Sequence, residues 1–411
     1  MHRTDSGAGS VSSDGADAAG ADGSAGACAP MPAPRTVGET SEAELLAAFL
    51  PLLRGEASPH LELGPGDDCA VISAPDARFV ITTDTQVQGQ DFLPVWPSGT
   101  VTRGADTGAK AAAQNLADAA AMGAVPSSMV VSLTLPRQTE LEWVRDFARG
   151  LRRGADACGA PRVAVAGGDL GGGEQIVVTV AVTGDLEGRR PVLRSGARPG
   201  DRIVLAGTVG RAAAGLALLT STAYRPGEDP ALDEIAGAQL RPVAPVPVGP
   251  ELARAGATAM IDVSDGLHRD AGRIATASGA DLDLDPAALR ELAAPLRPAG
   301  DLLGADPLEW VLTGGEDHGL LACLPADAQL PRGVRAIGSV RLPGPASGAE
   351  EAGPPGQAPR SAPRVGGIVR VSGEDASELI GPGRSGGWDH FERAQRSEHG
   401  PREAVAEPRR P

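Results

Sequence analysis

The sequence predicts an α/β (α+β) chain organised as two domains, and three observations carry that reading. Short β-rich runs alternate with alanine-rich helical patterns, as expected of mixed sheets covered by helices. With 411 residues and 41% hydrophobic content, the chain can bury one large core or two ordinary ones, and the spread of its motifs favours two. Acidic residues also recur where apolar runs give way to Gly- or Thr-rich turns: Gly66-Asp67-Asp68, Thr82-Thr83-Asp84-Thr85, Gly167-Gly168-Asp169, Ile261-Asp262-Val263-Ser264-Asp265-Gly266 and Gly314-Gly315-Glu316-Asp317. Carboxylates so placed are expected to leave the ends of buried strands on one rim, where α/β proteins bind ligands.

Taken in order, residues 1–37 contain no Leu, Ile, Phe, Tyr or Trp and are expected to stay unfolded, because they cannot offset the entropy of ordering. Order is expected from the capping-box pattern Ser41-Glu42-Ala43-Glu44, ahead of the apolar run Leu45 to Leu53. Strands follow at Cys69 to Ser73 and Arg78 to Thr83. The Ala-rich segment from about Thr107 to Met122 reads as a helix with Asn115 and Asp118 on one face. Strand 128–135, helix 140–157 and strands 162–166 and 175–183 complete a first domain, 38–188.

The second domain, 189–391, opens on the turn before strand 202–206. Helical patterns cover 211–219, 250–255 and 266–277, and strands are expected at 281–284, 319–324, 334–340 and 366–371. Residues 342–365 read as a flexible Gly/Pro/Ala/Glu insertion and 392–411 as a charged, unfolded tail.

Bulk charge narrows the function. A net charge of −16 excludes non-specific binding to nucleic acid or an anionic membrane, which needs clustered Lys and Arg. No segment approaches the ~20 apolar residues of a membrane span, and the acidic N-terminus is no secretory signal. Cys28, Cys69, Cys158 and Cys323 are isolated, so neither a zinc site nor a disulfide framework is expected, and the chain reads as cytoplasmic. Lys110 is the only lysine; it either persists against an Arg-biased composition because it has a role or, as expected, is a solvated residue on a helix.

If Asp68, Asp84, Asp118, Asp169 and Asp262 converge, each pair of charges about 4 Å apart costs roughly 4 kcal/mol at an effective dielectric near 20. Bound cations remove that cost, and an all-oxygen set with Thr82 and Thr83 favours Mg²⁺ over Zn²⁺. Phosphoryl transfer uses such ions to neutralise charge on the transferred group, with donors here in Arg194, the Gly167-Gly168 amides and the helix N-terminus after Ser264. No Walker A sequence or protein-kinase Gly-rich loop is present, so a nucleotide site must be of another kind.

The ordered motifs Gly66-Asp67-Asp68-Cys69-Ala70, Thr83-Asp84-Thr85, Asn115-Leu116-Ala117-Asp118 through Met122-Gly123-Ala124, Gly167-Gly168-Asp169, Arg194-Ser195-Gly196, Asp262-Val263-Ser264-Asp265-Gly266, Gly314-Gly315-Glu316-Asp317 and Trp388-Asp389-His390-Phe391 resemble the thiamine-monophosphate kinase family. Single motifs are shared across the wider aminoimidazole ribonucleotide synthetase-like superfamily. The resemblance implies a two-domain PurM-like architecture, with an N-terminal mixed sheet that pairs across a homodimer and a C-terminal α/β domain. It also implies transfer of the ATP γ-phosphate onto thiamine monophosphate with several Mg²⁺ ions.

Carried onto matching positions, Asp68, Thr82, Thr83, Asp84, Asp118, Asp169, Asp262 and Asp265 would hold metal. Gly168, Asp169, Arg194 and Ser264 would contact ATP, and Glu316 and Trp388 the thiamine moiety. Asp91 stands where the family commonly has a substrate-contacting His, so it is either a substrate contact or a solvated loop residue. Other members of the superfamily and a non-catalytic divalent-cation-binding module remain the competing readings. No covalent enzyme intermediate is expected, because a phosphate oxygen is already an ionised nucleophile.

Overall fold

The structure, a computed structural model, describes residues 35–63, 71–343 and 367–380. All of them belong to one compact unit. Asp68, Trp388, the tail and most of the expected insertion lie outside the described residues. Order is already present at Arg35, whose carbonyl accepts from the Leu141 N–H at 2.8 Å. Helix α1 (Glu42–Phe49) starts in the expected capping box: the Ser41 hydroxyl accepts from the Glu44 N–H, and the Glu44 carboxylate accepts from the Ser41 N–H.

After the ribbon of β1 (Leu61–Leu63) and β2 (Val71–Ile72) come β3 (Val80–Val87), α2 (Gly104–Ala121), β4 (Val125–Leu135), α3 (Leu141–Ala157), β5 (Ala164–Gly172) and β6 (Val177–Asp185). Four of these strands form a sheet in the order β3-β6-β4-β5. β4 and β5 are parallel and joined through α3, while the other pairs are antiparallel. One face of this sheet packs against α2, and the other is bare: Ile81, Val130 and Ser132 are all exposed on it.

The next elements are β7 (Arg202–Ala206), α4 (Arg211–Thr220), α5 (Pro230–Leu240), α6 (Val248–Arg254), β8 (Ala259–Val263), α7 (Leu267–Ser278), β9 (Asp281–Leu284) and α8 (Pro286–Ala293). They are followed by α9 (Arg297–Leu303), α10 (Pro307–Thr313), β10 (Gly319–Leu324), β11 (Val334–Arg341), β12 (Val369–Val371), β13 (Glu374–Asp375) and α11 (Ser377–Ile380). The strands form a seven-stranded sheet in the order β13-β12-β9-β11-β7-β10-β8. Among the described residues no helix is long and apolar enough to cross a membrane, and Cys158 and Cys323 are buried free thiols.

The strand and helix pattern expected from sequence is present, with additions. Helices α5, α8 and α10 each begin at an Asp-Pro pair. Asp229, Asp285 and Asp306 accept from the backbone N–H two residues on, at 2.8, 2.8 and 2.9 Å. Asp at the cap and Pro at the first helical position is the signal that identifies them.

Helix α2 is the centre of the molecule, packed against β3 and β6 of one sheet and β8 and β10 of the other. Alanine gives it high helix propensity and narrow faces, and Ala112, Ala113, Ala117 and Ala120 are fully buried. It also meets α3 at backbone distance. A Cβ on Gly108 would sit 2.3 Å from the Phe147 carbonyl, and one on Gly150 would sit 2.2 Å from the Ala105 carbonyl.

Candidate active site

Two edge strands, β3 and β8, bring acids to the same helix. On β3 the side chains alternate, so Thr82, Asp84 and Gln86 turn toward α2. The Thr82 hydroxyl donates to Asp118 Oδ2 at 2.6 Å, and the Asp84 N–H donates to Asn115 Oδ1 at 3.0 Å. Asn115 is itself held by its donation to the Ala111 carbonyl at 3.0 Å. From the other sheet, Asp262 on β8 is 4% exposed and lies 3.3 Å from His318 Nδ1.

The meeting of these groups shapes their charge. Burial, followed by the charges of Asp262 and Asp84, pushes the Asp118 carboxyl up to about 7, although the Thr82 hydroxyl and His318 oppose the rise. Burial pulls His318 down, but the Asp262 hydrogen bond and the charges of Asp262, Glu316 and Asp118 outweigh it and the net direction is up. The donor set of Thr82, Asp84, Asp118 and Asp262 is all oxygen and rich in carboxylates, which suits a hard divalent cation. Among the described residues no group of three or more His, Cys, Asp or Glu is placed to hold a metal ion by itself.

The loop from Gly314 to His318 completes the site. Glu316 and His318 both adopt left-handed backbone conformations, φ 67° and 54°. Their N–H groups donate to the carbonyls of Ser264, at 2.8 Å, and Val263, at 3.1 Å, which pins the loop to the end of β8. Glu316 Oε2 accepts from Lys110 Nζ at 2.8 Å and from Gln239 Nε2 at 2.6 Å. Burial pushes the Glu316 carboxyl up, but Lys110, together with Gln239 and His318, outweighs it and the net direction is below the ordinary value. Asp317 has a different task. It accepts from the Thr208 hydroxyl and from the N–H groups of Arg211 and Ala212, capping α4, while burial lifts its carboxyl to about 6.

Several expectations are corrected by this geometry. Asp84, Asp169 and Asp262 lie within β3, β5 and β8, not in turns after them. Thr83 falls on the opposite face of β3 from Asp84 and donates to the Val180 carbonyl at 2.9 Å. Asp169 is in register with Ser132, which is in register with Thr179 and through it with Thr85, so it shares the bare face. It is also three strands from β3, about 14 Å across the sheet. A single chain therefore does not bring Thr83 or Asp169 to the acids on α2, because one residue step along a strand reverses the face; Gly168, in register with Val131, Val180 and so Asp84, is on the face of Asp84 but three strands away.

Arg194 is exposed beside the start of β8, the end away from Asp262. Ser264 lies at the α7 end of the site, and Asp265 is paired with Arg273 at 2.5 Å. Asp91 is half-buried, not solvated, and its carboxylate accepts from the Val87 N–H of its own turn at 2.6 Å. Lys110, expected in solvent, is 3% exposed. Sequence reasoning did not single out His318 or Gln239; adjacency to Glu316-Asp317 was the available signal for His318, and none marked Gln239.

Comparison with known proteins places this geometry. The AIR synthase related protein family matches in two parts, its N-terminal domain at residues 66–186 and its C-terminal domain at 198–337. A thiamine-monophosphate kinase of Mycobacterium tuberculosis is 44% identical over 296 residues, covering 72% of this chain and 84% of the relative. The chain belongs to the thiamine-monophosphate kinase family.

Solved members of the family share the architecture. The thiamine-monophosphate kinase of Stenotrophomonas maltophilia K279a superposes with a TM-score of 0.61 at 29% identity, over 81% of this chain and 96% of that one. The structure described as AaThiL complexed with AMPPCP and TMP gives a TM-score of 0.62 at 27% identity, over 85% and 97%. The expected two-part α/β architecture is thus the observed one.

Proposed function

We propose that this chain transfers the γ-phosphate of ATP onto the phosphate of thiamine monophosphate, giving thiamine diphosphate and ADP. The observation that carries this reading is 44% identity to a named thiamine-monophosphate kinase across most of both chains. Binding of AMPPCP and TMP by a solved relative fits the same two substrates. A phosphate oxygen of thiamine monophosphate attacks the γ-phosphorus, the bond to the bridging oxygen breaks, and ADP leaves with the electron pair. The nucleophile is already ionised, so the protein supplies position and charge balance and needs no catalytic base.

Thr82, Asp84, Asp118 and Asp262 are the residues that would hold Mg²⁺, joined by Asp68 and Asp265 at matching positions. Bound there, the ions would neutralise the phosphates of both substrates. Ser264 and the N-terminus of α7 would take nucleotide phosphate, and Arg194 would reach it by its long side chain. Glu316 would face the cationic thiazolium, with Trp388 as its aromatic partner. Asp91, whose carboxylate accepts from the Val87 N–H, would stand beside the thiamine moiety in place of the family's His.

Two copies would pair through the bare face of the four-stranded sheet, covering Ile81 and Val130. That face carries Thr83 and Asp169, so their contribution to metal would come at the boundary between copies, whereas Gly168, one step along β5 and on the other face, would contact ATP from the side of α2. The free thiols fit a cytoplasmic enzyme. Incubation with ATP, Mg²⁺ and thiamine monophosphate should yield thiamine diphosphate and ADP in equal amounts. ATP hydrolysis without thiamine diphosphate, or no turnover, would overturn the reading.

A further inference from the structure

We infer that Lys110 is a positioning residue for Glu316, holding one oxygen of that carboxylate so that the other faces the cationic part of the substrate. The inference rests on the proposed role of Glu316 as the thiamine-facing carboxylate.

Lys110 is the only lysine among 411 residues and one of the few cations in the core. An ammonium that is 3% exposed must spend its donors on the protein. It donates to Glu316 Oε2 at 2.8 Å and to the Asp91 carbonyl at 3.1 Å. Gln239, also 3% exposed, donates to the same Oε2 at 2.6 Å. Both side-chain donors therefore converge on one carboxylate oxygen, and among the described residues no hydrogen bond reaches Oε1.

Exposure has the same polarity. The Lys110 side chain is 4% exposed and that of Glu316 is 31%, so the anchor is inside and the carboxylate opens outward. Three elements fix it: α2 through Lys110, α5 through Gln239, and β8 through the Ser264 carbonyl, which accepts from the Glu316 N–H. The bond to the Asp91 carbonyl adds the turn that ends β3, the strand of Asp84. One ammonium thus ties the strand of the acid cluster to the substrate carboxylate. A compact tetrahedral donor suits this junction, whereas a planar guanidinium points its donors in one plane.

The test is steady-state kinetics of Lys110→Met and Lys110→Arg in the full chain, with thiamine monophosphate and ATP varied separately. For Lys110→Met, KM for thiamine monophosphate should rise about tenfold to hundredfold, with kcat and KM for ATP within about threefold of wild type. Lys110→Arg, which keeps charge and loses geometry, should fall between the two. An unchanged KM for thiamine monophosphate in Lys110→Met overturns the inference, and so does an equal loss in all three constants, which would mark a scaffold role.

Should the variants fail to fold, ¹⁵N-lysine labelling of the wild-type protein carries the test, because the chain has one lysine ammonium. Its resonance should move when thiamine monophosphate is added and stay in place in Glu316→Gln. A resonance indifferent to thiamine monophosphate in the wild type overturns the inference. A wild-type protein that makes no thiamine diphosphate sinks the kinase reading instead, and this inference with it.

Discussion

The two faces of the four-stranded sheet carry similar residues to opposite fates. On the face packed against α2, Thr82 and Asp84 meet Asp118 and, from the second sheet, Asp262. On the bare face, Thr83 and Asp169 stand beside Thr85, Thr179, Ser132 and the exposed Ile81 and Val130. Neighbours in sequence are thus separated by the thickness of a sheet. A Thr-Thr-Asp-Thr string at an edge strand can serve an internal site and an external surface together, and which residue serves which follows from the alternation alone.

The comparison is broken most directly on the packed face. Asp84→Asn and Asp262→Asn should each lower kcat by about a thousandfold or more, with the far-ultraviolet spectrum and cooperative melting retained. Turnover near wild type in both would remove the metal assignment.

The bare face is tested next. Ile81→Asp combined with Val130→Asp places like charges on the surface proposed to pair, and should weaken self-association about a hundredfold or more, read by light scattering. A wild-type monomer at working concentration, or a mutant that associates as well as wild type, would leave that face without its proposed task.

A smaller effect separates the faces by pH. The Asp118 carboxyl is raised from 3.8 to about 7 by burial and by its acidic neighbours. Its contribution to stability is complete below the unfolded value and is lost as pH rises through the folded one. Chelated protein should therefore melt lower at about pH 8 than at about pH 6 on this group's account, and the gain on adding Mg²⁺ should be larger at the higher pH. Equal gains at both would count against crowding of carboxylates around Asp118.

The smallest effects belong to acids that are only caps. Asp229→Ala, Asp285→Ala and Asp306→Ala should each cost about 1 kcal/mol in urea unfolding and leave turnover unchanged. Loss of activity in any of them would blur the distinction between capping and site carboxylates.

Much of this was legible in the residues. The helix carrying Asn115 and Asp118, the apolar start of the strand that contains Asp262 and the strand Arg202–Ala206 all follow from composition and periodicity. The face of Asp169 was not, because it depends on where β5 begins and on the irregular register between Met129 and Val130. Treating Asp84 as a turn residue also failed: β3 runs on to Val87, since alternating Thr and Asp suit an edge strand with one solvated face. Lys110 was misjudged for another reason. Its partners, Glu316 and Gln239, lie more than a hundred positions away, and a local pattern carries no sign of them.

Helix α2 has a mechanical consequence. With sheets on two sides and glycines toward α3, its girth is set by backbone and methyl groups, about 10 Å. It acts as a gauge block whose width fixes how far apart β3 and β8 can stand. Any substitution that thickens it, such as Ala112→Leu, would jack the two carboxylate-bearing edges open without touching a single polar group.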